Sequence, residues 1–515
     1  MDALRLTLAA AALIAAAPAL AAQPAETLYA QHCAACHGPA RLGLTGPALL
    51  PENLERLKPS AALEVIARGR MATQMPAFGD KLSAEDMRLL ADYIYTPAPE
   101  PRWGIDEIRA SRVVYPPQQP DSERPVFKAD PLNLFVVVET GDHHATILDG
   151  DRFVPLARFP TRFALHGGPK FTPDGRFVYF GSRDGWVSKY DLYNLRMVAE
   201  VRAGINMRNI AVSSDGRWVM AANYLPHTLV ALDAVSLEPV KVLDVRNAQG
   251  ESSRVSAVYD AAPRESFIAA LKDVKEIWEI PYGPKTGPVY KGLVHDYRMG
   301  EGLAERGPFP VRVIETDDYL DDFFFDRGYH NLLGASRNAK SSEVVNLDVR
   351  RKIASIDLPG MPHLGSGITW DWNGTTVLAT PNLKTGVITV IDTKTWKVVK
   401  HIQTLGPGFF LRSHEATPYA WTDNFNSKYR DTLQVIDKRT LEVVKNLTPA
   451  PGKTAAHVEF TRDGRYALAS IWDMDGAIVV YDAATLEEVK RLPMKKPSGK
   501  YNVYNKITRS DGTSH

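Results

Sequence analysis

Residues 31–37 read Gln-His-Cys-Ala-Ala-Cys-His, and Cys33 and Cys36 are the two cysteines of a 515-residue chain. Two thiols at this spacing with an imidazole directly behind fit covalent attachment of a c-type haem. Each thiol forms a thioether to a vinyl group, and His37 reaches the iron. A zinc site needs four ligands, and there is no second cysteine pair to complete one. A redox dithiol calls for a βαβ setting, whereas the flanking AETLYAQHCAACHG reads as helix.

A haem iron held by His37 needs a ligand on its other side. The stretch GRMATQMPAFGDKL offers Met71 and Met75. Met75-Pro76-Ala77-Phe78 has the form of the methionine loop of class I cytochromes c, so Met75 is the expected ligand. Thioether sulfur suits an iron that cycles in redox state. The following segment, Ser83 to Tyr95, carries Met87, Leu89, Leu90, Tyr93 and Ile94 at helical spacing. It is expected to pack on the helix that ends in the cysteine motif, which makes residues 23–97 a small all-α electron-carrier domain.

These residues need a scaffold, and most of the chain must serve another site. Residues 98–125 are rich in proline and poor in periodicity, and read as a linker, with Trp103 and Ile105 leaving room for a structured strap. From residue 126 short β-branched and aromatic runs alternate with turns, and the units repeat. FTPDGRFVYFGSRDGWVSKYDL is echoed by AVSSDGRWVMAANYLPHTLVALDA, ITWDWNGTTVLATPNLKTGVITVIDT and FTRDGRYALASIWDMDGAIVVYDA. Asp-Gly and Asn-Gly are hairpin turns, and each unit closes on a weaker fourth strand. Weaker copies begin near Asn133, Tyr259, Phe325 and Ser413. Eight such units predict an all-β eight-bladed β-propeller over 126–515.

In a propeller the innermost strand of each blade lines a central channel. The residues leading into it lie at one mouth. Those positions hold His166, Arg208, His363 and His457. A single histidine in a strand protein is usually a satisfied turn or core residue, but three in matching loops point to one opening. Neutral imidazole is a common metal ligand, and a planar macrocycle would cap such a channel. Arg162, Arg183, Arg254 and Lys272 lie in or near inner strands. Arginine pairs bidentately with carboxylates, so Arg162, Arg183, Arg208 and Arg254 are candidates to hold an acidic ligand, the alternative being a solvated surface.

The first residues, MDALRLTLAAAALIAAAPALAAQPAE, carry Arg5, an apolar Ala-rich run and small residues near Ala22. They read as an export signal over 1–22 rather than an anchor, since Pro18 interrupts a short run. The mature chain is then expected in the periplasm without a membrane span. With 61 basic against 60 acidic residues and no basic run, nucleic acid is excluded as a partner.

The haem c segment, then PEPRWGIDEIRAS, then a propeller ending in GKYNVYNK, resembles the cytochrome cd1 family over nearly the whole mature chain. In that family the propeller binds haem d1 through a proximal histidine, which by position is His166. Nitrite reductases of the family add two distal histidines. One matches His363 in MPHLGSG. The other would fall near DDFFFDRGYH, where Asp321 or a neighbour stands and the next histidine, His330, belongs to the following strand. The ending YNKITRSDGTSH and the stretch AAHVEF are more similar to the dihydro-haem d1 dehydrogenase branch, whose members finish haem d1 biosynthesis by oxidising a propionate side chain to an acrylate.

That branch implies one covalent haem c, and dihydro-haem d1 or haem d1 held non-covalently as substrate or product. His166 and His363 would hold the macrocycle iron from opposite faces, leaving no place for nitrite. The arginines would take its carboxylates. His457 and Tyr501 would handle protons, although Tyr501 also reads as an aromatic of the closing strand. Electrons would leave one at a time through haem c to an external acceptor. Other haem d1 biosynthesis proteins and the nitrite reductase are the implied protein partners. The rival expectations are a nitrite reductase using His363 alone and a non-catalytic haem d1 carrier. A quinone-dependent propeller dehydrogenase fits less well, for want of an acidic calcium cluster or a vicinal cysteine pair.

Overall fold

The computed structural model describes residues 23–44, 46–55, 57–69, 75–99, 101–165, 167–285, 287–290, 304–335, 342–509 and 511–512. The segment read as an export signal, Met71 and His166 lie outside the described residues.

The N-terminal unit is built from short helices. Helix Ala25–His32 breaks at Cys33 and resumes as Ala34–His37. Helix Ala84–Ile94 starts on a capping box. The Ser83 hydroxyl accepts from the Asp86 amide, and the Asp86 carboxylate accepts from the Ser83 amide. Its face of Leu90, Ala91 and Ile94 packs with Leu28, Tyr29, Ala62 and Ile66 into one core. The two helices expected to pack together do so, around the side of the unit that carries the cysteines.

The rest of the chain forms eight antiparallel sheets, the expected eight-bladed propeller. A turn device recurs between the first two strands of a blade. In Thr172-Pro-Asp174-Gly175, Ser213-Ser-Asp215-Gly216 and Thr461-Arg-Asp463-Gly464 the hydroxyl donates to the aspartate, and the glycine takes a φ of 71°, 71° and 70°. An L side chain is disfavoured in that conformation. A second device closes the third strand of five blades. Asp191, Asp233, Asp392, Asp437 and Asp482 accept from backbone amides two and three residues on, an Asx turn that starts the fourth strand.

The ring is closed by its ends. Strand Pro497–Asn502 supplies the inner strand of the first blade and pairs with Leu134–Glu139, with Tyr501 opposite Val136. Tyr501 therefore sits on the closing strand. Part of the segment read as a linker is structured. Residues Ile105–Ala110 form a helix, and Val113–Val114 pair with the outer edge of the second blade at Arg196–Arg202. Ile108 is fully buried, and the Trp103 indole donates to the Arg202 carbonyl at 2.9 Å. Periodicity over six residues is too short to read from sequence.

The strap and the loops above the second and third blades fix the helical unit over one channel mouth. Arg202 Nη2 donates to the Leu42 carbonyl at 2.6 Å, and Asn53 Nδ2 to the Ile205 carbonyl at 3.1 Å. No helix among the described residues is long and apolar enough to cross a membrane.

Candidate functional site

Two chemically different sites result. The first is a cavity of 730 Å³ in the helical unit, lined by Cys33, Cys36, His37 and Met75 among apolar residues such as Ile66, Phe78 and Leu90. His37 Nδ1 is held by the Pro47 carbonyl at 2.8 Å, which turns Nε2 away from that bond. Burial lowers the pKa of His37, so the ring is neutral, the form that ligates iron. A Cβ on Gly46 would stand 2.8 Å from His37 Cε1, so only glycine lets the ring lie there. Burial pushes the Cys33 thiol up to about 11. A protonated, shielded thiol is not a redox nucleophile. Size, apolar wall, thiols and both expected ligands fit a covalent haem. The rim includes Arg162, Phe163 and Asp184 from the propeller, so this cavity opens toward the second site.

The second site is the channel mouth beneath. Arg208 lies early in inner strand Asn206–Val212, His457 in Ala455–Phe460, and His363 just before Ile368–Trp372. His363 Nδ1 is held by the Phe409 carbonyl at 2.7 Å, with its ring against that of Phe409 at 4.3 Å. The rings continue Phe409–Phe410 at 4.9 Å, Phe410–His457 at 4.8 Å and His457–Tyr501 at 5.0 Å. An aromatic run thus joins His363, His457 and Tyr501. The loop before inner strand Leu411–Ser413 is set by Asp423, which accepts from the Phe409 and Phe410 amides at 2.8 and 2.9 Å and is pushed up to about 6 by burial.

His457 is the least satisfied group of this site. It is 1 % exposed, and neither ring nitrogen has a hydrogen-bond partner. Its φ is 51°, a left-handed conformation that costs a non-glycine residue about 1–2 kcal/mol. Burial first, then the nearby cations Lys500, Arg412 and Lys506, hold its pKa well below the ordinary imidazole value. A buried polar group left without a partner costs about 1–3 kcal/mol, which is tolerated where a ligand supplies the missing contact. Arg412 shows the same pattern. It is 3 % exposed, and its Nε has no partner.

On the other wall Arg208 Nε donates to the Ser256 carbonyl at 2.8 Å. Its charge is supported by Tyr224, Asp322, Tyr259 and Asp321, which outweigh burial and raise its pKa. Asp322 accepts from the Gly365 amide at 2.6 Å and from the Tyr259 hydroxyl at 3.3 Å, tying the His363 loop to this wall. Asp321 is paired with Lys272 at 2.5 Å. His330 lies on an exposed turn bonded to Asp348 at 2.7 Å.

Two of the arginines chosen from the sequence hold carboxylates of this chain. Arg162 grips Glu200 at 3.0 and 2.7 Å and stacks on Trp186 at 3.8 Å, on the rim between the two cavities. Arg254 grips Asp273 at 2.9 and 2.7 Å. Arg183 is half-buried, its amide bonded to the Ala164 carbonyl at 3.0 Å. Sequence reasoning missed Arg412, Lys500 and the Phe409–Phe410 pair. The only signal was GFFLRS, an aromatic pair and an arginine at the start of an inner strand. The site brings two imidazoles, a phenol and buried cations together at the channel mouth. It can take an anionic macrocycle, ligate its metal and remove a proton from its edge.

The cytochrome D1 heme domain family matches residues 129–291 and 302–506, and the family described as cytochrome C oxidase, cbb3-type, subunit III matches 20–94. The chain is 59 % identical over 493 residues to a dihydro-heme d1 dehydrogenase of Pseudomonas aeruginosa, covering 96 % of each. It is 25 % identical over 548 residues to a nitrite reductase of Stutzerimonas stutzeri, covering 95 % of this chain and 94 % of that one. The solved structure of dihydro-heme d1 dehydrogenase NirN in complex with DHE superposes with a TM-score of 0.88 at 59 % identity, over 94 % of this chain and all of the other. The chain therefore belongs to the cytochrome cd1 family, in its dihydro-heme d1 dehydrogenase branch, as an oxidoreductase that joins a cytochrome c unit to an eight-bladed propeller.

Proposed function

We propose that the exported chain loses residues 1–22 and works in the periplasm in haem d1 biosynthesis. There it oxidises a propionate side chain of dihydro-haem d1 to the acrylate of haem d1. Cys33 and Cys36 would hold a covalent haem, and His37 and Met75 would ligate its iron. That group, when bound, supplies a one-electron relay toward an external acceptor. His363 and His166 hold the substrate iron from its two faces. The substrate carboxylates are taken by Arg208, Arg183 and Arg412, at the channel mouth, while Arg162 and Arg254 each grip a carboxylate of this chain, Glu200 and Asp273. Removing two hydrogens across a carbon–carbon bond leaves two protons; His457 takes up a proton, and the Tyr501 phenol, held protonated by burial, passes protons on by giving up its own as it accepts another. A substrate that neutralises the cations around His457 raises its basicity as it binds.

The observation that carries this reading is His457, buried with both ring nitrogens unpartnered and its ring 5.0 Å from that of Tyr501. The test is to mix the purified haem-loaded protein with dihydro-haem d1 without oxygen. We expect reduction of haem c and an extracted tetrapyrrole lighter by two hydrogens. Tight binding with no mass change would overturn the reading. Adding nitrite to the same cuvette would then separate a carrier from a reductase, the latter disfavoured here by the Asp321–Lys272 pair.

A further inference from the structure

The channel has a second opening that none of this uses. A cavity of 390 Å³ lies at the far ends of the inner strands, where Ala211 and Val212 end one and Phe324 and Phe325 end another. It reaches the surface at Arg327, Thr508 and Arg509, which are exposed. Inward it reaches Lys170, Tyr259 and Lys506. Lys506 lies on the C-terminal helix Val503–Thr508, and its Nζ is 5.7 Å from the centroid of the Tyr501 ring. Lys506 thus lines the solvent-reaching cavity and stands over the Tyr501 ring, which packs on His457.

We propose that Lys506 carries protons from the Tyr501–His457 pair to solvent through this far cavity, so that protons leave by the channel floor and not past the substrate. The proposal rests on the dehydrogenase reading above. Loss of two hydrogens yields two protons and two electrons. The electrons pass to the external acceptor, and the protons go one at a time to neutral Lys506, then to water in the cavity, which regenerates the neutral amine.

The surroundings suit the role. The charged and titratable groups facing Lys506 include Glu459, Arg412, Lys170, His457 and Tyr501. Burial, with help from Arg412 and Lys170 and against Glu459, lowers Lys506 to about 7, and burial lowers Lys170 to about 8. An amine with its pKa near ambient pH both accepts and releases a proton readily. Each turnover at the mouth would otherwise release protons beneath a bound macrocycle and the helical unit above it.

The test compares K506M and K506R with wild type in the holoprotein, following dihydro-haem d1 oxidation against pH. We expect kcat to fall about ten- to a hundredfold in both variants, at or below the low end of general-base effects. KM should be unchanged, and the ionisation near neutral pH should vanish from the kcat profile. Arginine keeps the charge but holds its proton, so rescue by K506R would show a merely electrostatic or structural role and overturn the proposal. In substrate-free wild type, acetylation of Lys506 by acetic anhydride, read by mass spectrometry, should show a midpoint near neutrality. A midpoint at the ordinary lysine value would also overturn it. A wild type that turns over beside an unaffected K506M sinks the proposal alone. A wild type that binds without turnover sinks the functional reading and this one together.

Discussion

The cysteine cavity and the channel mouth are built on opposite plans. The cavity's haem-binding residues come from one stretch, 33–75, its inner wall is mainly apolar with a polar rim lent by the propeller, and His37 is partnered by the Pro47 carbonyl. The mouth draws on residues from Arg208 to Tyr501, spread around the ring, and holds buried cations and an imidazole with no partner. A permanently attached group can be gripped by a finished pocket. A molecule that must arrive, react and leave is met by groups left unsatisfied until it comes, because their gain on binding is then largest.

Breaking the covalent grip should have the largest effect. Cys36→Ala is expected to lose the haem on denaturing gels stained for it and to abolish turnover, while visible titration still shows dihydro-haem d1 binding at the propeller. Loss of that binding would mean the two sites are not separable. Next comes His457→Ala, expected to lower kcat roughly 10²- to 10⁴-fold, the range of general-base catalysis, with little change in substrate Kd. Full turnover would remove His457 from the chemistry. Arg412→Met should weaken binding by about 1.5–3 kcal/mol, the worth of a hydrogen bond to a charged group, or roughly ten- to a hundredfold in Kd. The haem c spectrum should not move.

The smallest effect sharpens the contrast through pH. Lys170 and Lys506 are lowered to about 8 and about 7, chiefly by burial, and burial lowers Lys500 as well. Their unfolded pKa is the ordinary lysine value, so between the two values the unfolded chain binds more protons, and stability rises with pH. The melting temperature of the substrate-free holoprotein is therefore expected to rise by a few degrees from about pH 7 to about pH 9. Bound substrate, whose carboxylates favour the charged lysines, should flatten that slope. Calorimetry with and without ligand checks both, and a flat profile without ligand would show that these lysines are solvated.

The chemistry of the haem attachment was legible because it is local. Cys33, Cys36 and His37 fall within five positions, and Met75 follows in its loop. The blades were legible for a similar reason. Ser/Thr-x-Asp-Gly and the Asp of each Asx turn are short-range hydrogen-bonding devices that recur with the strands. The histidines of the mouth could be aligned because each sits at the same point of a repeat. That Arg162 and Arg254 are taken by Glu200 and Asp273 could not be read, Glu200 lying 38 positions from Arg162. The orphaned state of His457 and the aromatic run through Phe409 and Phe410 arise where neighbouring blades meet. The far cavity exists only because the C-terminal helix folds under a ring closed by strand Pro497–Asn502. Local spacing dictates bonds and turns. Burial and partnership depend on residues hundreds of positions apart, and only closure of the ring brings those together.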